Sequence, residues 1–140
     1  MIDVAATGLR TALKANAALL ALLPDAEAIF RTQAPPTSSA AVQYPRPYVV
    51  MIHSAGGTQN TSPRDAFDQR WSIKAVADTP SAAAAIAAQI RAALHHQTIT
   101  LPSTWKAMDC QELNVFEFAE NVSGKQVWHT GAVYQIRATT

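Results

Sequence analysis

The chain is short of charge, of cysteine and of long apolar runs, and each shortage excludes something. Asp, Glu, Lys and Arg make up 15% of the 140 residues, against roughly 25% in a typical soluble domain. A surface so poor in charge is either coated with Ser, Thr, Gln and Asn or partly hidden against other chains. The net charge is +1 and no basic run occurs, which removes the basis for a strong electrostatic claim on nucleic acid. The single cysteine, Cys110, excludes an internal disulfide, and its simplest role is that of a small apolar strand residue. No stretch approaches the ~20 apolar residues of a membrane-spanning helix. Asp3 and the interrupted apolar pattern around it spoil a signal-peptide core, so a soluble product made in the cytoplasm is expected.

Catalytic motifs are absent as well. Ser54-Ala55-Gly56-Gly57 resembles a serine-presenting turn only superficially, and Gly56-Gly57 lacks the lysine and following helix of a phosphate loop. Four histidines raise the question of a metal, but their spacing opposes one. His95 and His96 are adjacent and point about 100° apart on a helix. His53 and His129 fall on separate strands, and no Cys-x-x-Cys or His-x-x-x-His pair exists. Asp109, Glu112, Glu117 and Glu120 crowd one hairpin, where Asp109 and Glu112 face opposite ways unless a bulge intervenes. The chain therefore reads as a non-enzyme without catalytic, cofactor-binding or metal residues. Arg64, Arg70, Lys74, Lys106, Lys125 and Arg137 are scattered without aromatic interleaving. They suit solvated strand faces, or the lining of a passage through which DNA moves.

What is present is a clear order of elements. Hydrophobic residues reach 49%, but alanine is the largest share and buries little area. The core must then rest on Leu9, Leu13, Leu20, Val50, Ile52, Trp71, Ile73, Ile86, Ile90, Trp128, Tyr134 and Ile136. Asp3 is the expected N-cap of a first helix in which Leu9, Leu13, Ala17 and Leu20 recur at helical spacing up to Leu23-Pro24. Ala28 to Arg31 reads as a short strand, and Tyr48 to Ser54 as a strand buried on both faces. Phe67, Gln69, Trp71, Ile73, Ala75 and Ala77 alternate with polar residues, giving a strand with one core face and one wet face. Thr79 and Pro80 open a second, alanine-rich helix with Ile86, Ile90, Ala93 and Leu94 as its stripe. Ile99 to Leu101 adds a further short strand. Trp105 to Phe118 and Val127 to Ala138 close the chain as a long hairpin. The order α-β-β-β-α-β-β, over a single domain spanning residues 1–140, predicts an α+β fold: an antiparallel-rich mixed sheet with two helices packed on one face.

Three polar segments remain outside that core, and compact domains seldom keep long loops without a use. They are Thr32 to Gln43, with Pro36 and Ser38; Ala55 to Asp65, with Gly56, Gly57, Asn60 and Arg64; and the turn Asn121 to Lys125, with Ser123 and Lys125. These eight residues are the candidate partner contacts.

With the elements placed, the chain resembles the tail terminator, or tail completion, family of long-tailed bacteriophages and phage-like gene transfer agents. The resemblance rests on Leu9-x-x-x-Leu13 running to Leu22-Leu23-Pro24, then Ile29-Phe30, then Tyr44-Pro45-x-Pro47-Tyr48-Val49-Val50. It continues through Trp71-Ser72-Ile73-Lys74-Ala75-Val76, the helix Ala82 to Leu94 and the closing Gly124 to Ile136 segment with Trp128-His129. It implies a structural virion protein at the tail–neck junction, assembled in the bacterial host cytoplasm. It further implies a homo-oligomeric ring, usually a hexamer, that caps the tail tube, stops its polymerisation and joins the tail to the head–neck connector proteins. DNA would pass through that ring without sequence-specific binding, and no membrane or cofactor is involved. A reading from a different class is a small cytoplasmic α+β ligand-binding or regulatory domain using a pocket between helices and sheet.

Overall fold

The structure is a computed structural model that describes residues 2–32, 45–61 and 64–140, with the backbone alone at 58–61 and 64. The elements are α1 (Ile2–Lys14), α2 (Ala17–Ala21), β1 (Ile29–Arg31), β2 (Tyr48–Thr61), β3 (Arg64–Ala77), α3 (Pro80–Leu94), β4 (Lys106–Val122) and β5 (Lys125–Thr139). The five strands form one sheet in the order β1-β2-β3-β5-β4, with β1 parallel to β2 and every other pairing antiparallel. The expected α+β layout is the observed one, and the order of its elements follows the predicted one closely.

The N-terminal helix is two helices rather than one. Asn16 leaves helical geometry (φ −89°, ψ 102°), and its side-chain oxygen accepts the Leu19 amide at 3.0 Å, capping α2. The break resets the helical phase, so Leu19 is buried where Leu20 was expected. Leu20 is only half-buried and Ala17 is exposed. Asp3, predicted as the cap of α1, lies instead in its first turn and pairs with Arg31 on β1. The Arg31 guanidinium lowers the Asp3 pKa below its ordinary value. Thr79 caps α3 as predicted, its hydroxyl accepting the Ala82 amide at 3.2 Å, with Pro80 in the first turn.

One face of the sheet is dry. Phe67, Gln69, Trp71, Ile73, Ala75 and Ala77 of β3, with Ala132, Tyr134, Ile136 and Ala138 of β5, are buried. Most of them share a single cluster with Leu9 and Leu13 of α1 and Ile86, Ile90 and Leu94 of α3. A smaller apolar cluster, Val50, Val76 and Val127, joined by Tyr48, Ile52 and Val122, lies on the opposite face. Val50 and Ile52 therefore belong to this second cluster, and Trp128 is partly buried at the margin of the first. Ile99 and Leu101 are buried but not in a strand. They press on Gly8, where a Cβ would lie 2.4 Å from the end of the Leu101 side chain and 3.1 Å from the Thr100 carbonyl oxygen, so any larger residue there would make Leu101 shift.

The segment Ala55 to Asp65, expected as a loop, is mostly strand: residues 55–61 of β2 pair rung by rung with 64–70 of β3. A register shift between His53 and Ala55 and a positive φ of 90° at Gly56 keep the two strands paired through this stretch. A Cβ at Gly56 would meet the Asp68 carbonyl oxygen at 2.1 Å. The run of Gly, Thr, Gln and Asn carries no apolar alternation. The backbone ladder nevertheless forms, because such a ladder depends on amide pairing rather than on side-chain burial.

Candidate interaction surfaces

The register places the two hairpin ends at opposite ends of the sheet. Ala66 of β3 is level with Thr139 of β5, while Ala77 is level with Trp128. The β2–β3 hairpin continues two rungs past the first of these, through Asn60 with Asp65 and Thr61 with Arg64. The β4–β5 hairpin continues three rungs past the second, ending at Val122 with Lys125. Ser123 (φ 53°) and Gly124 (φ 81°) form its two-residue turn, and the Gly124 amide donates to the Asn121 side chain at 2.9 Å. Positive φ at both central positions is the geometry that matches the natural twist of paired strands.

Of the eight predicted contact residues, Ser123 and Lys125 sit exposed at one end. Asn60 and Arg64 occupy the backbone near the other. Gly56 and Gly57 pair with Gln69 and Asp68 along β2, several rungs back from the tip. Pro36 and Ser38 lie outside the described residues, as does most of the Thr32 to Gln43 segment.

The sheet face opposite the helices carries a mixed aromatic and charged group that periodicity alone did not reveal. The Phe118 and His129 rings stack at 4.6 Å and 9°, Phe116 lies beyond Phe118, and the Lys74 ammonium sits 5.3 Å from the Phe118 centroid. Neighbouring positions on β3, β5 and β4 bring them together: Lys74 opposes Gly131, Gly131 opposes Phe116, and Phe118 opposes His129. His129 Nε2 lies 3.0 Å from a Glu120 carboxylate oxygen, while its Nδ1 is buried without a hydrogen-bond partner among the described residues. Burial, aided by the Lys74 ammonium, lowers the His129 pKa below its ordinary value against the opposing pull of Glu120. His95, which accepts the Glu112 amide at 3.0 Å and ties the end of α3 to β4, is lowered too, again chiefly by desolvation.

Both shifts have the same consequence for stability. A histidine held below its unfolded value leaves the folded chain with fewer protons than the unfolded one between the two values. Its contribution is intact above the unfolded value, roughly 6.5, and is lost as pH falls through the folded one. The urea midpoint is therefore expected to decline between pH 7 and 5. That window lies above the carboxylates Asp3 and Asp109, whose pKa values are lowered further from 3.8. His129→Gln should flatten the decline; an unchanged slope would mean that the imidazole takes up its proton equally in the folded and unfolded chain.

The outer edge of β4 is the third surface. Six large hydrophobic side chains are exposed among the described residues, and Met108, Leu113, Val115 and Phe118 are all on this strand. Two bulges, between Ala107 and Asp109 and between Glu112 and Asn114, kink it. Asp109 and Glu112 lie between the bulges and do face opposite ways. Asp109 takes a bidentate pair from Arg137 (2.9 and 2.6 Å), and Glu112 meets Arg91 of α3 at 3.5 Å. A groove of about 350 Å³ runs between β4 and α3, lined by Ala87, Ala88, Arg91, Glu112, Val115 and Tyr134 among others.

Among the described residues no three His, Cys, Asp or Glu side chains gather as a metal site. The Cys110 thiol is buried and pushed up to about 12 by desolvation, which suppresses the reactive thiolate. His95 and His96 do come together, with rings 3.9 Å apart. The helix ends at Leu94 and His96 turns to φ 56°, so the helical angle expected between them does not apply. No described helix is long and apolar enough to cross a membrane.

A family model described as "Tail completion protein gp17" matches residues 7–135. A chain in a solved structure titled "Virion of native gene transfer agent (GTA) particle" shares the fold. The match has a TM-score of 0.73 and 19% sequence identity, and covers 98% of each chain. No curated protein matches.

Proposed function

Because the chain belongs to the tail completion protein gp17 family, we propose that it is a non-enzymatic structural subunit of a virion, placed where the tail meets the neck. Six copies close into a ring on the end of the finished tail tube. There the ring stops polymerisation and offers its other side to the head–neck connector proteins, and DNA passes through it without sequence-specific contacts.

The observation that carries the reading beyond family membership is the opposed placement of the two hairpin ends. A joint must present separate surfaces to two partners, and one rigid sheet with a hairpin end at each extremity does so without a hinge. Asn60 and Arg64 would serve one partner, Ser123 and Lys125 the other. Gly56 and Gly57, a few rungs behind the first tip, would line its flank, and Pro36 and Ser38 are kept as contact candidates on the sequence alone. The sparse surface charge and the exposed alanines of α3 suit packing between copies. A net charge of +1 suits a passage that does not grip DNA.

The test is to assemble particles in a host with and without the gene. Without the protein, tails of uncontrolled length that fail to join heads are expected, with both defects reversed by adding back purified protein. Tails of normal length joined to heads in its absence would overturn the proposal.

A further inference from the structure

Resting on that ring reading, we propose that the outer edge of β4 is the surface on which a second copy of this chain docks. The docking element is the open border of the second copy's β2, so that one sheet continues into the next around the ring.

The two edges of the sheet are unlike each other in a way that selects this arrangement. β4 is a border strand of 17 residues with β5 on one side. Among the described residues its other side meets only the turn after α3, where the His96 amide donates to the Cys110 carbonyl at 2.8 Å and the Glu112 amide to His95 Nδ1 at 3.0 Å. The stretch from Asn114 onward is therefore the open one. Long, exposed and apolar border strands are templates for strand addition and are normally blunted by lysine, proline, bulges or cover. Both bulges of β4 precede Asn114 and leave residues 114–122 regular. β4 has no proline and one lysine, Lys106 at its first residue. It instead displays Met108 (67% exposed) and Val115 (73% exposed). The groove of about 350 Å³ beside it, floored by small alanines of α3, is room for side chains arriving with an added strand.

At the other border β1 covers β2 only at residues 49–51, leaving the outer edge of residues 52–61 without a neighbouring strand among the described residues. Charge decides which edge meets which. β4 carries Asp109, Glu112, Glu117 and Glu120 against the single Lys106, whereas β2 carries no Asp, Glu, Lys or Arg. Pairing β4 with β4 would oppose two acidic strands, and like charges across strands are destabilising. Such a pairing is also two-fold and stops at a dimer, while joining β4 to β2 is head-to-tail and builds rings.

The inference is tested with the full chain in two experiments. The double variant Met108→Lys with Val115→Lys adds solvated cations at exposed positions, so its thermal melt should match that of the wild type. Its assembly on purified tail tubes, followed by electron microscopy and light scattering, should need about tenfold more protein or more, because docking must desolvate both ammoniums. In the second experiment, a Val115→Cys copy and an Ala55→Cys copy are mixed on tubes and treated with a short bismaleimide; the buried Cys110 stays silent. Cross-linking between the two different variants is expected. If the wild type forms rings and the lysine variant forms them equally well, the docking surface is elsewhere and the ring reading stands. Val115→Cys linking chiefly to itself would likewise overturn the head-to-tail pairing. A wild type that stays monomeric on tubes would overturn the ring reading and this inference together.

Discussion

Trp71→Ala is expected to remove about 3–5 kcal/mol of folding stability, a large share of the roughly 5–15 kcal/mol that holds a typical domain folded. Trp71 is fully buried in β3, the middle strand of the sheet, opposite Tyr134. Its ring packs against His53 at 5.3 Å, with the Arg31 guanidinium 5.7 Å from its centre. The indole N–H also donates to the Gln69 side-chain oxygen at 3.0 Å, inside the core. Gln69 is 1% exposed and its amide nitrogen already lacks a partner among the described residues. Deleting the indole leaves the oxygen orphaned too, at a further cost of roughly 1–3 kcal/mol.

A second change separates the two causes. In a Trp71→Phe background, which keeps most of the ring but loses the donor, Gln69→Leu should restore stability, because removing both polar partners is close to neutral. Urea denaturation at pH 7 reads all of these. A loss below about 1 kcal/mol for Trp71→Ala would mean that this face of β3 is not the core.

Trp71 also shows which parts of the fold could be read in the sequence. Alternation over Phe67 to Ala77 reports one dry face directly, since successive strand residues point to opposite sides, and every one of those positions is buried. The cap at Thr79 and the stripe through Ile86 and Ile90 were legible for the same local reason. Leu20 was misplaced because a single capping side chain, Asn16, breaks the helix and shifts its phase, and asparagine in the middle of a helical pattern is a weak signal. The polar half of the β2–β3 hairpin was invisible because its pairing is a property of the backbone.

The interaction surfaces were the least legible. Loop chemistry identified Ser123 and Lys125 at a genuine turn, but it could not say that this turn and the Asn60–Arg64 end lie at opposite extremities, which follows only from register. The exposed edge of β4 was missed altogether. Val115 and Phe118 read locally as ordinary strand residues, and only the strand order β3-β5-β4 leaves them at a border. The crowded carboxylates of that strand were visible, but their effect in choosing a partner edge appears only with the topology.

Gly131→Ala is the second change expected to act strongly, and it separates close strand approach from the general permissiveness of glycine. Gly131 lies in β5 between Lys74 of β3 and Phe116 of β4. An added Cβ would come 2.2 Å from the Ile73 carbonyl oxygen and 2.6 Å from the Lys74 Cα. Both atoms are backbone of a central strand, so no flexible side chain can yield, and the strands must part. Parting them disturbs Lys74 over Phe118 and the Phe118–His129 stack at the same level of the sheet. A loss of about 1–3 kcal/mol or more is expected, as for other overpacked interiors. Gly57, by contrast, has nothing within 4 Å of an added Cβ and no left-handed backbone. Gly57→Ala should therefore be neutral, or stabilise by up to about 1 kcal/mol by restricting the unfolded chain. The measurement is the difference in urea midpoint between the two single variants. If Gly131→Ala melts with the wild type, the close approach of β5 to β3 is absent in solution, and the stacked group built across that junction must be arranged differently.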